Sequence, residues 1–114
     1  MSDKLVLKNM VFYGYHGAFD AEKELGQKFE VDLEIYTDLQ NLGDDTDYAF
    51  NYTVVKEIVE DREFNLVESL AEAISTQVLA MYDIKKLVTR VRKHQVPVGG
   101  YLDYLEVEIT RGNG

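Results

Sequence analysis

The chain has 114 residues, enough for a single domain over residues 1–114, and carries 21 acidic against 12 basic residues for a formal charge of −9. That balance repels phosphate backbones and anionic lipid, so neither nucleic acid nor a membrane is an expected partner. There is no cysteine, which excludes disulfides, thiolate nucleophiles and cysteine-bound zinc. No apolar run nears the roughly 20 residues of a membrane span, and the start MSDKLVLKNM lacks the basic-then-apolar pattern of a signal peptide, so a cytoplasmic location is expected.

In chain order, residues 4–15 alternate loosely, with Leu5, Leu7, Val11, Tyr13 and Tyr15 in one phase, which predicts a long first strand. In DAEKELGQ, Asp20 can cap a short helical turn and Gly26 can end it. KFEVDLEIY, residues 28–36, predicts the clearest strand: Phe29, Val31, Leu33 and Ile35 lie on one face and Lys28, Glu30, Asp32 and Glu34 on the other. A short helix is expected over 52–61, with Asn51 or Thr53 as cap, and a longer one over 65–82. In the longer one Leu66, Leu70, Ile74, Val78 and Met81 make one buried stripe. KLVTRVRKH and YLEVEIT return to alternation, with Arg90 and Arg92 facing one way and Lys93 the other, and VGGY at 98–101 reads as the turn between them. Two strands, two helices and two strands predict an α+β fold, a four-stranded antiparallel sheet with both helices on one face. The charged face of the second strand fits a sheet covered on one side only.

Few residues stand out for chemistry on their own. A catalytic zinc takes three protein ligands, and His16 and His94 are the only histidines, so no metal is expected. Neither a nucleophile elbow nor a phosphate-binding glycine loop is present. Glu22 and Glu68 both have an ordinary reading as acids in the first turn of a helix, Glu68 lying three residues past Asn65 as in a capping box. Lys93 reads as a solvated lysine at a strand end, and Tyr52 as a core or cap residue.

Together the segments say more. FYGYHGAFDAEKELGQKFEVDLEI resembles the opening of the dihydroneopterin aldolases, folate-pathway enzymes of bacteria and plants; NLVESLAEAI resembles their second-helix start and VRKHQVPVGGYLDYLEVEI their closing hairpin. The resemblance runs from about Leu5 to Arg111. It implies the tunnelling fold, in which four subunits close their sheets into a ring-shaped barrel and two rings stack as a homo-octamer. It implies a small-molecule pterin substrate, 7,8-dihydroneopterin, cleaved to 6-hydroxymethyl-7,8-dihydropterin and glycolaldehyde, with no cofactor and no metal. By the same resemblance Glu68 anchors the pterin and the backbone at Leu66 and Val67 lines its pocket. Lys93 is the catalytic acid–base, with Glu22 and Tyr52 in support. Ala49 and Phe50 form a pocket wall supplied, with Tyr52, by a neighbouring subunit. Three places depart from the family pattern: Ala49 and Phe50 where it commonly has threonine and valine, Thr53 where glycine is usual, and a proline delayed to Pro97. The resemblance also leaves room for C2′ epimerase activity, for a dedicated epimerase of dihydroneopterin triphosphate, and for a non-catalytic pterin-binding ring protein.

Overall fold

The computed structural model describes residues 3–38, 46–81, 84–96 and 99–112. Four strands, β1 (Asp3–Gly14), β2 (Gln27–Thr37), β3 (Lys86–Lys93) and β4 (Leu105–Arg111), form one antiparallel sheet in that spatial order. A short helix α1 (Asp20–Leu25) joins β1 to β2, while α2 (Thr46–Asp61) and α3 (Val67–Met81) stand between β2 and β3. Helix α2 packs on β1, α3 packs on β3 and β4, and the two helices touch. The expected α+β architecture is therefore observed. Among the described residues no helix is long and apolar enough to cross a membrane.

The alternation of β2 is realised as expected. Phe29, Val31, Leu33 and Ile35 are fully buried and meet Val55, Val59, Leu70 and Ile74 of the helices in one core. The opposite face carries ion pairs across the strands: Arg90 with Glu34 and Glu108, and Arg92 with Glu30, Asp32 and Glu106. Lys93 stands on the helix-covered face, level with Phe29 and Leu105.

The first strand does not keep one phase. Leu7 pairs with Leu33 and Met10 with Val31, so Lys8 and Asn9 together oppose Asp32. This is a β-bulge with Asn9 in the left-handed region at φ 57°, a conformation asparagine tolerates better than most residues. The extra residue flips the strand. Leu5 and Leu7 face the core before it, Met10 and Phe12 after it, and Val11, Tyr13 and Tyr15 are turned outward and exposed.

Helix ends also differ from expectation. Asp20 is the first helical residue of α1 and Phe19 its N-cap; Gly26 ends the helix at φ 70°, as expected, where a Cβ would strike the rings of Tyr13 and Tyr15. Helix α2 begins at Thr46, so neither Asn51 nor Thr53 caps it, and the Thr53 hydroxyl donates to the Ala49 carbonyl 3.1 Å away, one helical turn back. Helix α3 starts two residues later than expected. The Leu66 carbonyl accepts the first helical bonds, Glu68 is the second helical residue, and the capping box from Asn65 does not form. The buried stripe is consequently Val67, Leu70, Ala71, Ile74, Ser75 and Val78, and Leu66 is half exposed instead of joining it. Pro97, Val98 at the start of the expected turn, and Tyr82 at the expected end of α3 lie outside the described residues.

Candidate active site

Three separate segments converge at one end of the sheet. Strand β3 ends on Lys93, which is held between β2 and β4 with its side chain only 8% exposed. Helix α1 places Glu22 one turn in, also 8% exposed, and its Oε2 lies 2.5 Å from Lys93 Nζ. The other oxygen of Glu22 accepts the Phe19 amide at 3.4 Å, which ties the carboxylate to the helix start. The α2–α3 connection and the first turn of α3 bring Leu66, Val67 and Glu68. All five line one cleft of about 180 Å³, with Ala18, Phe19, Asn65, Val96 and Leu105 completing the wall.

The cleft thus joins a charged acid–base pair, an exposed carboxylate at a helix start and an apolar rim. Charges held this close and this far from water form a strong, geometrically fixed hydrogen bond. The chain leaving Lys93 is itself fastened: the Gln27 amide nitrogen donates to the Gln95 carbonyl at 2.9 Å and its oxygen accepts the Gln95 amide at 3.0 Å. A larger, more apolar hollow of about 440 Å³ shares Phe19, Glu22 and Val96 with the cleft and is bounded by Gln27 and Gln95.

Ala49, Phe50 and Tyr52 are not brought to this cleft by their own chain. They stand on α2, Phe50 53% and Tyr52 43% exposed, with the Tyr52 ring 5.1 Å from that of Phe12. Phe19, Val96 and Leu105 were not singled out from the sequence. The one sequence signal was Phe19, a large apolar residue directly before the charged DAEKEL, and in the structure it stands 58% exposed at the start of α1. Both histidines are engaged elsewhere. His16 is buried between the Val59 carbonyl and the Phe64 amide, and His94 lies between Glu30 and the Asp103 carbonyl. Among the described residues no three histidines, aspartates or glutamates are grouped to hold a metal.

A sequence model of the dihydroneopterin aldolase family (FolB) matches residues 5–110. Dihydroneopterin aldolase of Bacillus subtilis is 40% identical over 96% of this chain and 97% of its own. Two solved structures superpose over nearly the whole chain at 26% identity. A putative dihydroneopterin aldolase from Vibrio cholerae has a TM-score of 0.85 and covers 99% of both chains; the Escherichia coli enzyme in complex with neopterin has a TM-score of 0.84 and covers 96% of this chain and 99% of that one. Sequence over nearly the whole chain and the overall architecture point the same way, and the chain belongs to the dihydroneopterin aldolase family.

Proposed function

We propose that this aldolase performs its carbon–carbon cleavage in the cleft between Glu68 and the Glu22–Lys93 pair, with no metal and no cofactor taking part. The observation that carries the reading is the 2.5 Å contact of Lys93 Nζ with Glu22 Oε2 in the same wall as Leu66, Val67 and Glu68. A pterin ring presents an N–H and an amino group side by side. The Glu68 carboxylate accepts both in parallel, a charge-assisted bidentate pair, while the backbone at Leu66 and Val67 lines the ring edge. That the Escherichia coli relative is in complex with neopterin supports a pterin here.

Cleavage then needs a base for the 2′-hydroxyl and an acid for the carbon left behind. As the 2′-oxygen gives up its proton and becomes the carbonyl of glycolaldehyde, the C1′–C2′ bond breaks and its electron pair enters the ring C=N. Protonation of C1′ restores the C=N and releases 6-hydroxymethyl-7,8-dihydropterin. Lys93, held by Glu22, moves these protons. Because the ring is the electron sink, no Schiff base to lysine is required. Tyr52 assists proton delivery, and Ala49 and Phe50 wall the pocket, from a neighbouring chain of a four-membered ring, two such rings stacking as an octamer. The exposure of Phe50 and Tyr52 on a helix that does not line this chain's cleft supports that arrangement. A triphosphate substrate is disfavoured by the same lining. Its one cation among the described residues, Lys93, is already paired.

Two substitutions test the reading. Glu68→Gln leaves one pterin donor unmet and removes the charge, costing on the order of 2–4 kcal/mol of product affinity; titration within about threefold of wild type would remove Glu68 from the anchoring role. Lys93→Ala should lower kcat by roughly a hundredfold or more with product affinity little changed, and an unimpaired kcat would assign the proton transfers elsewhere.

A further inference from the structure

We propose that His16 is a positioning residue for the pterin-holding half of the cleft. Together with Gly17 it clamps Phe64, and so sets where Leu66, Val67 and Glu68 stand relative to the Glu22–Lys93 pair. The proposal rests on the reading that residues 66–68 hold the pterin. The histidine itself touches neither substrate nor the reacting atoms.

The geometry is specific. The His16 side chain is 1% exposed, and its Nε2 lies 2.7 Å from the Val59 carbonyl oxygen, which can only accept. The proton of the neutral ring is therefore on Nε2, and Nδ1 is left as an acceptor. Nδ1 takes the Phe64 amide at 3.1 Å. The next residue along, Gly17, donates its own amide to the Phe64 carbonyl at 2.9 Å. Both backbone groups of Phe64 are thus held by two consecutive residues of the connection between β1 and α1. Phe64 lies two positions before Leu66 and four before Glu68.

The other side of the same dipeptide faces the acid–base pair. Gly17 passes directly beneath Glu22: a Cβ there would lie 2.4 Å from the Glu22 carboxyl carbon. The His16 ring meets Phe29 edge-on, with centroids 5.1 Å apart, and Phe29 is the cross-strand partner of Lys93. Residues 16 and 17 therefore touch the supports of Glu22 and Lys93 on one side and grip the approach to Glu68 on the other. A buried histidine serving only as filler would need neither the fixed tautomer nor the paired amide of Gly17.

Two amides separate the ring's two bonds. His16→Asn places a carbonyl oxygen where Nδ1 stands and keeps the acceptor for Phe64. His16→Gln reaches the Nε2 position, keeps the donor to Val59 and gives up that acceptor. Affinity for 6-hydroxymethyl-7,8-dihydropterin and kcat at saturating substrate would be measured on folded, assembled protein. The Asn variant should bind within about threefold of wild type, and the Gln variant about tenfold more weakly or worse. In both, kcat should change by less than about threefold, because the Glu22–Lys93 pair is intact. Equal affinities for the two variants, or a fall in kcat as large as the fall in affinity, would overturn the proposal. Should the Gln variant fail to fold, His16→Leu, which fills the space and offers no acceptor, takes its place with the same two outcomes. Glu68→Gln separates the two levels of inference. If that variant binds normally, the pterin-holding assignment of residues 66–68 fails; if it binds weakly while the His16 variants bind alike, only the clamp fails.

Discussion

Asp32 is a tightly constrained charge, with a side chain that has no exposed surface. Two Arg92 nitrogens reach its two oxygens at 2.8 Å each, and the Asn9 amide adds a third bond at 2.7 Å. The Arg92 hydrogen bonds outweigh the penalty of burial and, with the Asn9 amide, hold its carboxyl down at about 2. A carboxylate with a lowered folded value contributes stability above its unfolded value of 3.8, lost as pH falls from there through about 2. The contribution is about 2 kcal/mol at neutral pH. Urea midpoints followed from pH 5 to pH 2 should therefore fall more steeply in wild type than in Asp32→Asn, and parallel curves would refute the assignment. His16 works in a different window. Burial lowers it below 6.5, against the Val59 carbonyl and the nearby charge of Glu63, which both raise it. Its neutral form stabilises the fold above pH 6.5, and that stability is lost as pH falls below, because the unfolded chain takes up the proton first. Wild type should lose more stability than His16→Asn between pH 7 and pH 5; equal losses would mean that His16 is protonated as readily in the folded chain as in the unfolded one.

At the scale of elements, what could be read from the sequence depended on whether the deciding contact is local. Strand β2 was legible because its own residues alternate and one face is buried throughout. The break in β1 was not legible, because two residues there are accommodated by a single residue, Asp32, 23 positions further on. Helix α3 was recognised by its period, but its start was misplaced because Leu66 is apolar and fits the stripe; only the fold shows it as the cap, half exposed at the cleft. The site was legible only through resemblance. Glu22, Glu68 and Lys93 each have an ordinary local role, and 71 positions separate Glu22 from Lys93. The bulge gives the test at this scale. Asn9 holds φ 57° and its side-chain oxygen accepts from Arg92 at 3.2 Å. Asn9→Ala should cost roughly 1–2 kcal/mol, from the left-handed conformation and the lost acceptor. Asn9→Gly should cost less, since only the acceptor is lost. If alanine proves as stable as glycine in chemical denaturation, backbone strain is not what asparagine relieves here.

For the whole molecule, the described sheet ends on β1 at one edge and β4 at the other, and its helix-free face is laced with ion pairs instead of being packed. Unpaired edges invite pairing with another chain, and joining β4 of one copy to β1 of the next would cover both. Closing four copies that way would place the helices outside and would make Tyr52 and Phe50 on α2 available to a neighbour's cleft. Each site would then draw Glu22, Glu68 and Lys93 from one chain and Tyr52 from the next. Lys93→Ala and Tyr52→Phe should each be impaired by at least about tenfold. Refolded together, they should recover activity that neither has alone. Where chains of the two kinds meet, one orientation gathers both lesions into one site and the other leaves a site with Lys93 and Tyr52 both intact. In a random equal mixture about a quarter of all sites should be of the intact kind, because each site draws independently on two chains. Native mass spectrometry establishes whether mixed rings have formed. Activity in verified mixed rings that is only the average of the two parents would mean that Lys93 and Tyr52 act within one chain, and the shared site would have to be abandoned.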